Sequence, residues 1–192
     1  PVLISSYGAD TRRPGAWGKI QLVNGASSSL THAIIEYGLT CLDITDSTDL
    51  TNVEVRSCKT AGVRLSSTAA NGNTLADVEI HHGQGVGLLM ESGAKNAVIT
   101  DLLVHDNATF GARLTGGSTA TFTGGEAYAN TQDGFRIESS TPAISDFTIH
   151  ENGRTGLYYS GSQGGTLTHS TITANAAEGV RIENQNSSPT IT

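Results

Sequence analysis

Acidic and histidine side chains recur at two-residue spacing in the middle of the sequence. Asp77, Glu79 and His81 form one run, and Asp101 and His105 belong to a second run 24 residues later. In an extended strand, residues two apart point to the same side. Carboxylates held together share a proton or bind calcium, and imidazoles act as general acids and bases or bind transition metals. These residues are therefore candidates for a catalytic or metal site.

The same outward rows continue further along the chain, where Glu126 and Tyr128 follow. Asp77 and Asp101 form the sharpest pair, since neighbouring strands at a spacing of roughly 5 Å would bring two carboxylates close enough for calcium. These outward residues can also be explained without a ligand, because any half-exposed sheet of an acidic protein carries charged side chains on its outer face. We therefore expect no cofactor. The alternative is a bound calcium ion, and the sequence does not identify any other metal.

His81 and His82 stand together before Gly83, in a pattern that could clip a metal ion. Strand alternation would send one imidazole outward and the other toward the turn. We therefore do not expect these two rings to share a ligand.

A second set of outward positions combines arginine, tyrosine and glutamate. Two residues after a recurring glycine come Arg64, Leu89, Arg113, Arg136, Tyr158 and Arg181, and two further on come Ser66, Glu91, Thr115, Glu138, Ser160 and Glu183. Pairing of the arginines with the acidic residues would explain both rows. A glycan-binding surface is the other interpretation, because Arg and Tyr grip sugars. Its candidate binding residues are Glu79, Glu126, Tyr128, Arg113, Arg136 and Tyr158.

Composition excludes several classes of partner. Lys and Arg number 11 against 18 Asp and Glu, which gives a net charge of -7 and no basic stripe for nucleic acid. No apolar run approaches the roughly 20 residues that cross a bilayer, so we expect no membrane insertion. The 23 glycines, with abundant Ser, Thr and Asn, indicate strands and turns rather than long helices.

An internal repeat must position these side chains. Apolar anchors recur every 20 to 25 residues, and five residues after most of them comes a second apolar position; the anchors are Leu30, Leu50, Leu75, Ile99, Phe122, Ile144, Leu167 and Ile191. A unit of this length cannot hold a helical crossover besides its strands. Successive coils must therefore stack directly, with the apolar rows facing one interior and positions two, four and six after each anchor facing outward.

Asn and Gly recur behind these strands. Asn107, Asn130, Asn152 and Asn175 align in one row, which predicts a hydrogen-bonded ladder, and the glycine four residues later predicts a turn with unusual backbone dihedrals. Cys58 falls in the Asn row. Because Cys41 and Cys58 are the only cysteines, we predict a buried free thiol at Cys58 rather than a disulfide framework or a nucleophile.

The segment from Ile144 to Asn152, followed by Gly156-Leu-Tyr-Tyr159, resembles the repeat of the pectate-lyase-type parallel β-helix proteins, and the resemblance extends from Leu30 to Ile191. It implies one all-β domain over residues 1–192, a right-handed parallel β-helix of about 7–8 coils with roughly 22–25 residues per coil. Pro1 to Ser29 would add a coil with a loop from Asp10 to Ala16 and a strand from Trp17 to Val23. Both termini are strand-like, so we expect a segment of a longer protein with possible association through the solenoid ends.

The enzymes of this superfamily carry motifs that can be sought in the sequence. Asn130-Thr-Gln-Asp133 resembles the Asn-Thr-Asp motif of polygalacturonases with an inserted Gln, and Arg136-Ile-Glu138 departs from their Arg-Ile-Lys. Neither Asp-Asp nor Gly-His-Gly occurs. We therefore predict a noncatalytic solenoid module, extracellular or on a cell surface, with a glycan or adhesion surface. The alternative is a polysaccharide lyase, hydrolase or epimerase that uses Asp77, Asp101, His81 and His105.

Overall fold

The computed structural model describes residues 1–6, 11–23, 28–67, 71–161, 164–184 and 187–192. Within these ranges the chain forms short strands and no α-helix. The first sheet contains β1 (Val2–Ile4), β3 (Ser28–Glu36), β5 (Thr48–Arg56), β7 (Thr74–His81), β9 (Ala97–His105), β11 (Ala120–Tyr128), β13 (Ala143–Ser145), β14 (Thr148–His150), β16 (Thr166–Thr168), β17 (Thr171–Thr173) and β19 (Thr190–Ile191). The second contains β2 (Ile20–Leu22), β4 (Thr40–Ile44), β6 (Ala61–Ser66), β8 (Val86–Glu91), β10 (Ala112–Leu114), β12 (Phe135–Glu138), β15 (Leu157–Ser160) and β18 (Val180–Glu183).

The strands of each sheet pair in parallel with the equivalent strands of the next coil. The eight predicted anchors, from Leu30 to Ile191, all occupy paired positions. The arginine and tyrosine row from Arg64 to Arg181 is likewise in register. The predicted all-β parallel solenoid is therefore confirmed, with about seven turns.

The N-terminal coil is less extended than its sequence predicts. β2 begins at Ile20, and Trp17 contributes only an isolated parallel bridge to Gly38. The indole Nε1 of Trp17 donates to the carbonyl of Glu36 at 2.9 Å, which ties the preceding turn to the first sheet. Asp10, where the predicted loop begins, lies outside the described residues.

The interior between the two sheets is filled by the stacked apolar rows. Phe122, Phe135 and Phe147 meet edge to face, with ring centroids 5.1 to 6.4 Å apart. All three are fully or almost fully buried. Burial of each such side chain stabilises the fold by roughly 1.5–3 kcal/mol, so the stacked rows hold the coils together.

The first sheet is sharply bent, which simple strand alternation does not anticipate. The residue two past each anchor from Leu30 to Leu167 has a positive φ, from 47° to 69°: these are His32, Asn52, Asp77, Asp101, Gly124, Asp146 and His169. A second left-handed row lies seven past each anchor: Tyr37, Ser57, His82, Asp106, Ala129, Glu151 and Ala174. The first corner resets the alternation, so anchors and positions three and five past them all face inward. The first of the three predicted outward rows is therefore a corner.

Five of the six recurring glycines, from Gly62 to Gly156, are required by close packing and not by unusual dihedrals, so that prediction is wrong. None of the six, from Gly62 to Gly179, has a positive φ. A Cβ on Gly111 would lie 2.6 Å from the carbonyl oxygen of Gly134 and 2.8 Å from the Nδ2 of Asn130. The neighbouring coil therefore leaves no room for a side chain.

The predicted asparagine ladder is confirmed. The backbone N–H and the Nδ2 of Asn107 both donate to the Oδ1 of Asn130 at 3.1 Å. Asn130 donates in the same way to Asn152, and Asn152 to Asn175. The Nδ2 of Asn107 also reaches the carbonyl of Ile80 at 3.2 Å. Each amide thus bridges neighbouring coils.

Cys58 is buried in the predicted row, but it is not a free thiol. Cys41 and Cys58 form a disulfide whose Cα atoms are 5.8 Å apart. Cys41 lies on β4 and Cys58 in the turn that follows β5, so stacking of the coils brings together two residues 17 apart in sequence. A disulfide that closes a loop of this length stabilises the folded state by about 3 kcal/mol, because it restricts the unfolded chain.

Candidate functional site

A groove of about 620 Å³ follows the outer side of the first corner over four coils. Its lining is mainly acidic and small: Asp77, Val78, Glu79, Asp101, Leu103, Gly124, Gly125, Glu126, Asp146 and Thr148. The volume lies in the range of small-ligand sites. At about 4.8 Å per coil, four stacked coils give a groove long enough for a short oligomeric ligand along the solenoid axis.

Two glycines open the centre of the groove. Gly124 occupies the corner row between Asp101 and Asp146, and Gly125 follows it with a φ of 117°. A Cβ on Gly124 would stand 2.6 Å from the Oδ1 of Asp101. The missing side chains leave a gap between the carboxylates of the coils on either side.

The corner carboxylates are available to a ligand. Among the described residues, Asp77, Asp101 and Asp146 have no side-chain hydrogen bond or ion pair, and all three are exposed. Five carboxylates line the groove, with no Lys or Arg among its lining residues. The groove therefore has a strongly negative potential.

A row of stacked rings runs beside the groove, six residues past the anchors. The centroids of His81 and His105 are 5.0 Å apart, those of His105 and Tyr128 are 4.6 Å apart, and those of Tyr128 and His150 are 5.1 Å apart. Burial raises the pKa of Tyr128, reinforced by Asp106, Glu126 and Glu79. Burial also lowers the pKa of His81, against the opposing effect of its hydrogen bond to Glu54.

The structure divides the predicted acidic and histidine patch between two places. Asp77, Glu79 and Asp101 line the groove, as Glu126 does, whereas the rings of His81 and His105 belong to the adjoining row. The Nε2 of His105 lies 3.1 Å from the Oε1 of Glu79, which connects the two places.

Beyond the ring row, the second corner gathers donor groups that the sequence did not place together. The prediction that His81 and His82 diverge is wrong, because the left-handed backbone at His82 brings their Nδ1 atoms to 2.6 Å. Over the described ranges, the donor atoms that converge within 4.8 Å belong to His82, His105 and Asp106, and not to Asp77 and Asp101.

The outer face of the second sheet is occupied by internal ion pairs. Glu138 accepts from Arg113 at 2.8 Å and from Arg136 at 2.9 Å. Arg136 also lies over the ring of Tyr158 at 4.3 Å, and the Tyr158 hydroxyl donates to Glu183 at 2.5 Å. Although burial opposes it, hydrogen bonding by both arginines lowers the pKa of Glu138. Three predicted binding residues, Arg113, Arg136 and Tyr158, are thus already paired.

Sequence reasoning missed part of both surfaces. Asp146 lies two residues past Ile144, in the same row as Asp77 and Asp101, but the sequence did not single it out, and Gly124 and Gly125 gave no chemical signal of their own. Asp106 was missed because it lies at a corner, where adjacent residues project together. The available clue was that the two apolar positions of each repeat are five residues apart. In a regular strand an odd spacing would put them on opposite sides, so the chain must bend between them.

Comparison with known proteins agrees with this architecture. Residues 37–192 match the family described as "Right handed beta helix region". The chain belongs to this right-handed β-helix family. No curated protein matches the sequence at a significant level. No helix in the described part of this β-helix is long and apolar enough to cross a membrane.

Solved structures share the fold at low sequence identity. The periplasmic alginate epimerase AlgG is 13% identical with a TM-score of 0.59, over 85% of this β-helix and 44% of AlgG. Tailspike protein 2 of Escherichia coli O157:H7 bacteriophage CAB120 is 12% identical with a TM-score of 0.60, over 85% of this chain and 30% of the tailspike. Pectate lyase Pel9A is 14% identical with a TM-score of 0.58, over 92% of this chain and 68% of the lyase. The chain thus spans less than half of the first two proteins.

Proposed function

We propose that this β-helix is a noncatalytic module of a secreted or cell-surface protein that binds a glycan along the acidic groove. The observation that carries the proposal is a set of three carboxylates beside the glycine gap, Asp77, Asp101 and Asp146, that have no partner within the described part of the chain. Carboxylates accept hydrogen bonds from sugar hydroxyls and ammonium groups. The rigid stack of coils would hold them at fixed spacing.

The charge of the groove restricts its ligand. Alginate and pectate, which give two of the similar structures their names, are polyanions. Five carboxylates repel a polyanion unless cations intervene. A neutral glycan, or one that carries amino sugars, fits the groove better, and amino sugars gain most from its potential.

The placement of the histidines favours binding over catalysis. His105 is 7% exposed, and both of its ring nitrogens contact carboxylates, from Glu79 at 3.1 Å and from Asp106 at 2.8 Å. Both nitrogens of His105 are thus occupied by carboxylates of the protein, one of them the groove residue Glu79, so neither nitrogen is left for a substrate. The polysaccharide-active alternative would need these imidazoles to reach a substrate bound at Asp77 and Asp101.

A combined binding and turnover measurement tests the proposal. Chitosan, xylan and galacturonan oligosaccharides would be titrated calorimetrically and then incubated with the protein for product analysis by mass spectrometry. We expect binding of the amino-sugar or neutral oligosaccharides without products. Cleaved or epimerised products would establish the enzyme alternative, and absence of binding to every class would contradict a glycan-binding role.

A further inference from the structure

Donor groups from two neighbouring coils meet at the second corner. His81 ends β7 and His82 follows it, and His105 and Asp106 hold the equivalent positions at the end of β9. One donor atom from each of His82, His105 and Asp106 lies within 4.8 Å of the other two. We propose that these three side chains bind a divalent transition metal ion, best matched by zinc.

The contacts of His105 leave a place for a cation. Its Nδ1 is 2.8 Å from the Oδ2 of Asp106, and its Nε2 is 3.1 Å from the Oε1 of Glu79. In its neutral form the imidazole of His105 has a hydrogen on only one nitrogen, and in that form it donates to only one of the two carboxylates. A metal ion at the other nitrogen replaces the missing hydrogen. It also offsets the negative charge of Asp106.

Neighbouring groups already orient the ring. With its hydrogen on Nε2, His105 donates to Glu79 and points the lone pair of Nδ1 toward Asp106, as in the carboxylate–histidine–metal arrangement. The rings of His81 and Tyr128 hold His105 between them at 5.0 and 4.6 Å. The Nδ1 of His81 also contacts His82 at 2.6 Å. The metal ligands therefore need little reorganisation.

The donor set selects the metal. Two imidazole nitrogens and one carboxylate oxygen suit zinc, copper or nickel, whereas calcium prefers oxygen ligands throughout. Tetrahedral zinc with bonds of about 2.0–2.1 Å holds its ligand atoms about 3.3 Å apart, so no two donors have to change their separation by more than about 1.5 Å. His82 and Asp106 are exposed and free to make this adjustment, and water can complete the coordination.

The chain contains a matched control two coils further on. His150 lies 3.7 Å from Glu151 and 3.5 Å from Glu126, in an arrangement like that of His105. The preceding coil offers Tyr128 and Ala129 where the metal site has His81 and His82. His150 thus has an acidic neighbour but lacks the second imidazole.

Zinc titration of the untagged chain tests the site. Isothermal calorimetry would compare wild type, His82→Asn, Asp106→Asn and the control His150→Gln, with cobalt absorption as a second readout of coordination. Asn is well tolerated at left-handed positions, so the first two variants should fold. Circular dichroism would verify this.

We expect wild type and His150→Gln to bind one zinc per chain. Each should also melt at a higher temperature with zinc than without it. Removal of a direct ligand in His82→Asn or Asp106→Asn should weaken binding by more than about 100-fold, beyond the effect of outer-shell changes. No binding below millimolar zinc, or equal affinity in all four proteins, would overturn the proposal.

Discussion

The two outer faces of the solenoid treat charge in opposite ways. On the second sheet, Glu138 lies between Arg113 and Arg136, and these charges form ion pairs with one another. Along the first corner, Asp77 and Asp101 stand on neighbouring coils without a partner among the described residues. The same repeat therefore produces one face that stabilises itself and one that remains open to a ligand.

This difference separates charge that has a structural use from charge that needs another explanation. Like charges on adjacent strands are unfavourable, so a row of unpaired carboxylates lowers the stability of the fold. Proteins retain such costs mainly at sites of function. The acidic groove thus carries more functional information than the arginine row, although the sequence made both look equally polar.

The largest effect is expected where a paired polar group is also buried. Asn130→Leu removes an amide that accepts from Asn107 and donates to the carbonyl of Val104 at 3.0 Å. Backbone and amide groups left unpaired should destabilise the fold by roughly 1–3 kcal/mol, measured by urea denaturation. An unchanged unfolding free energy would show that pairing is not what stabilises the ladder.

A smaller loss is expected on the second sheet. Glu138→Gln leaves Arg113 and Arg136 without their shared carboxylate, and we expect a loss of about 1 kcal/mol. The matched change in the groove, Glu126→Gln, should alter the unfolding free energy by less than about 0.5 kcal/mol. Equal losses in the two variants would erase the distinction between the faces.

The paired carboxylates should also set the acid limit of stability. Burial raises the pKa of both Glu36 and Glu138, but hydrogen bonds outweigh it. Those from Ser5 and Arg56 lower the pKa of Glu36, and those from Arg113 and Arg136 lower the pKa of Glu138. Their contribution is complete above the unfolded value of about 4.3 and is lost as the pH falls through the folded pKa. In Glu138→Gln, the fall of the melting temperature below pH 4.3 should be shallower than in wild type.

The smallest effect, and one of opposite sign, is expected for Asp77→Asn with Asp101→Asn. Loss of like-charge repulsion should raise the unfolding free energy by a few tenths of a kcal/mol, about 0.2–0.5. The gain should shrink in high salt because exposed charges are screened. A net loss of stability would mean that the two carboxylates have stabilising partners.

The sequence predicted the rows because a stacked repeat repeats its side-chain environment. Leu30 to Ile191, the Asn ladder and the arginine row all follow from one periodicity. The second corner, at Asp106, could not be predicted in the same way, since residues as different as Ala129 and Glu151 share its left-handed backbone. His82 was misplaced for this reason. The first corner did carry a signal, because its row consists only of Asp, Asn, His and Gly, which tolerate a left-handed backbone best.

Close contacts between coils were also hidden from a one-dimensional pattern. Gly111 repeats because an asparagine and a carbonyl of the next coil approach it, and the sequence shows the repeat without its cause. Cys41 and Cys58 lie in different rows, so their alignment gave no sign of a disulfide. Both features depend on the distance between coils and not on the order of residues.

Comparison of ligand binding after one change on each face tests the central claim most directly. Gly124→Asn would place a side chain in the groove at a left-handed position without adding charge, and Glu138→Gln would alter the second sheet. Calorimetric titration with chitosan oligosaccharides would measure both against wild type. The proposed function predicts binding that is lost in Gly124→Asn and retained in Glu138→Gln. Retained binding in Gly124→Asn together with loss in Glu138→Gln would contradict it and assign the ligand to the arginine face.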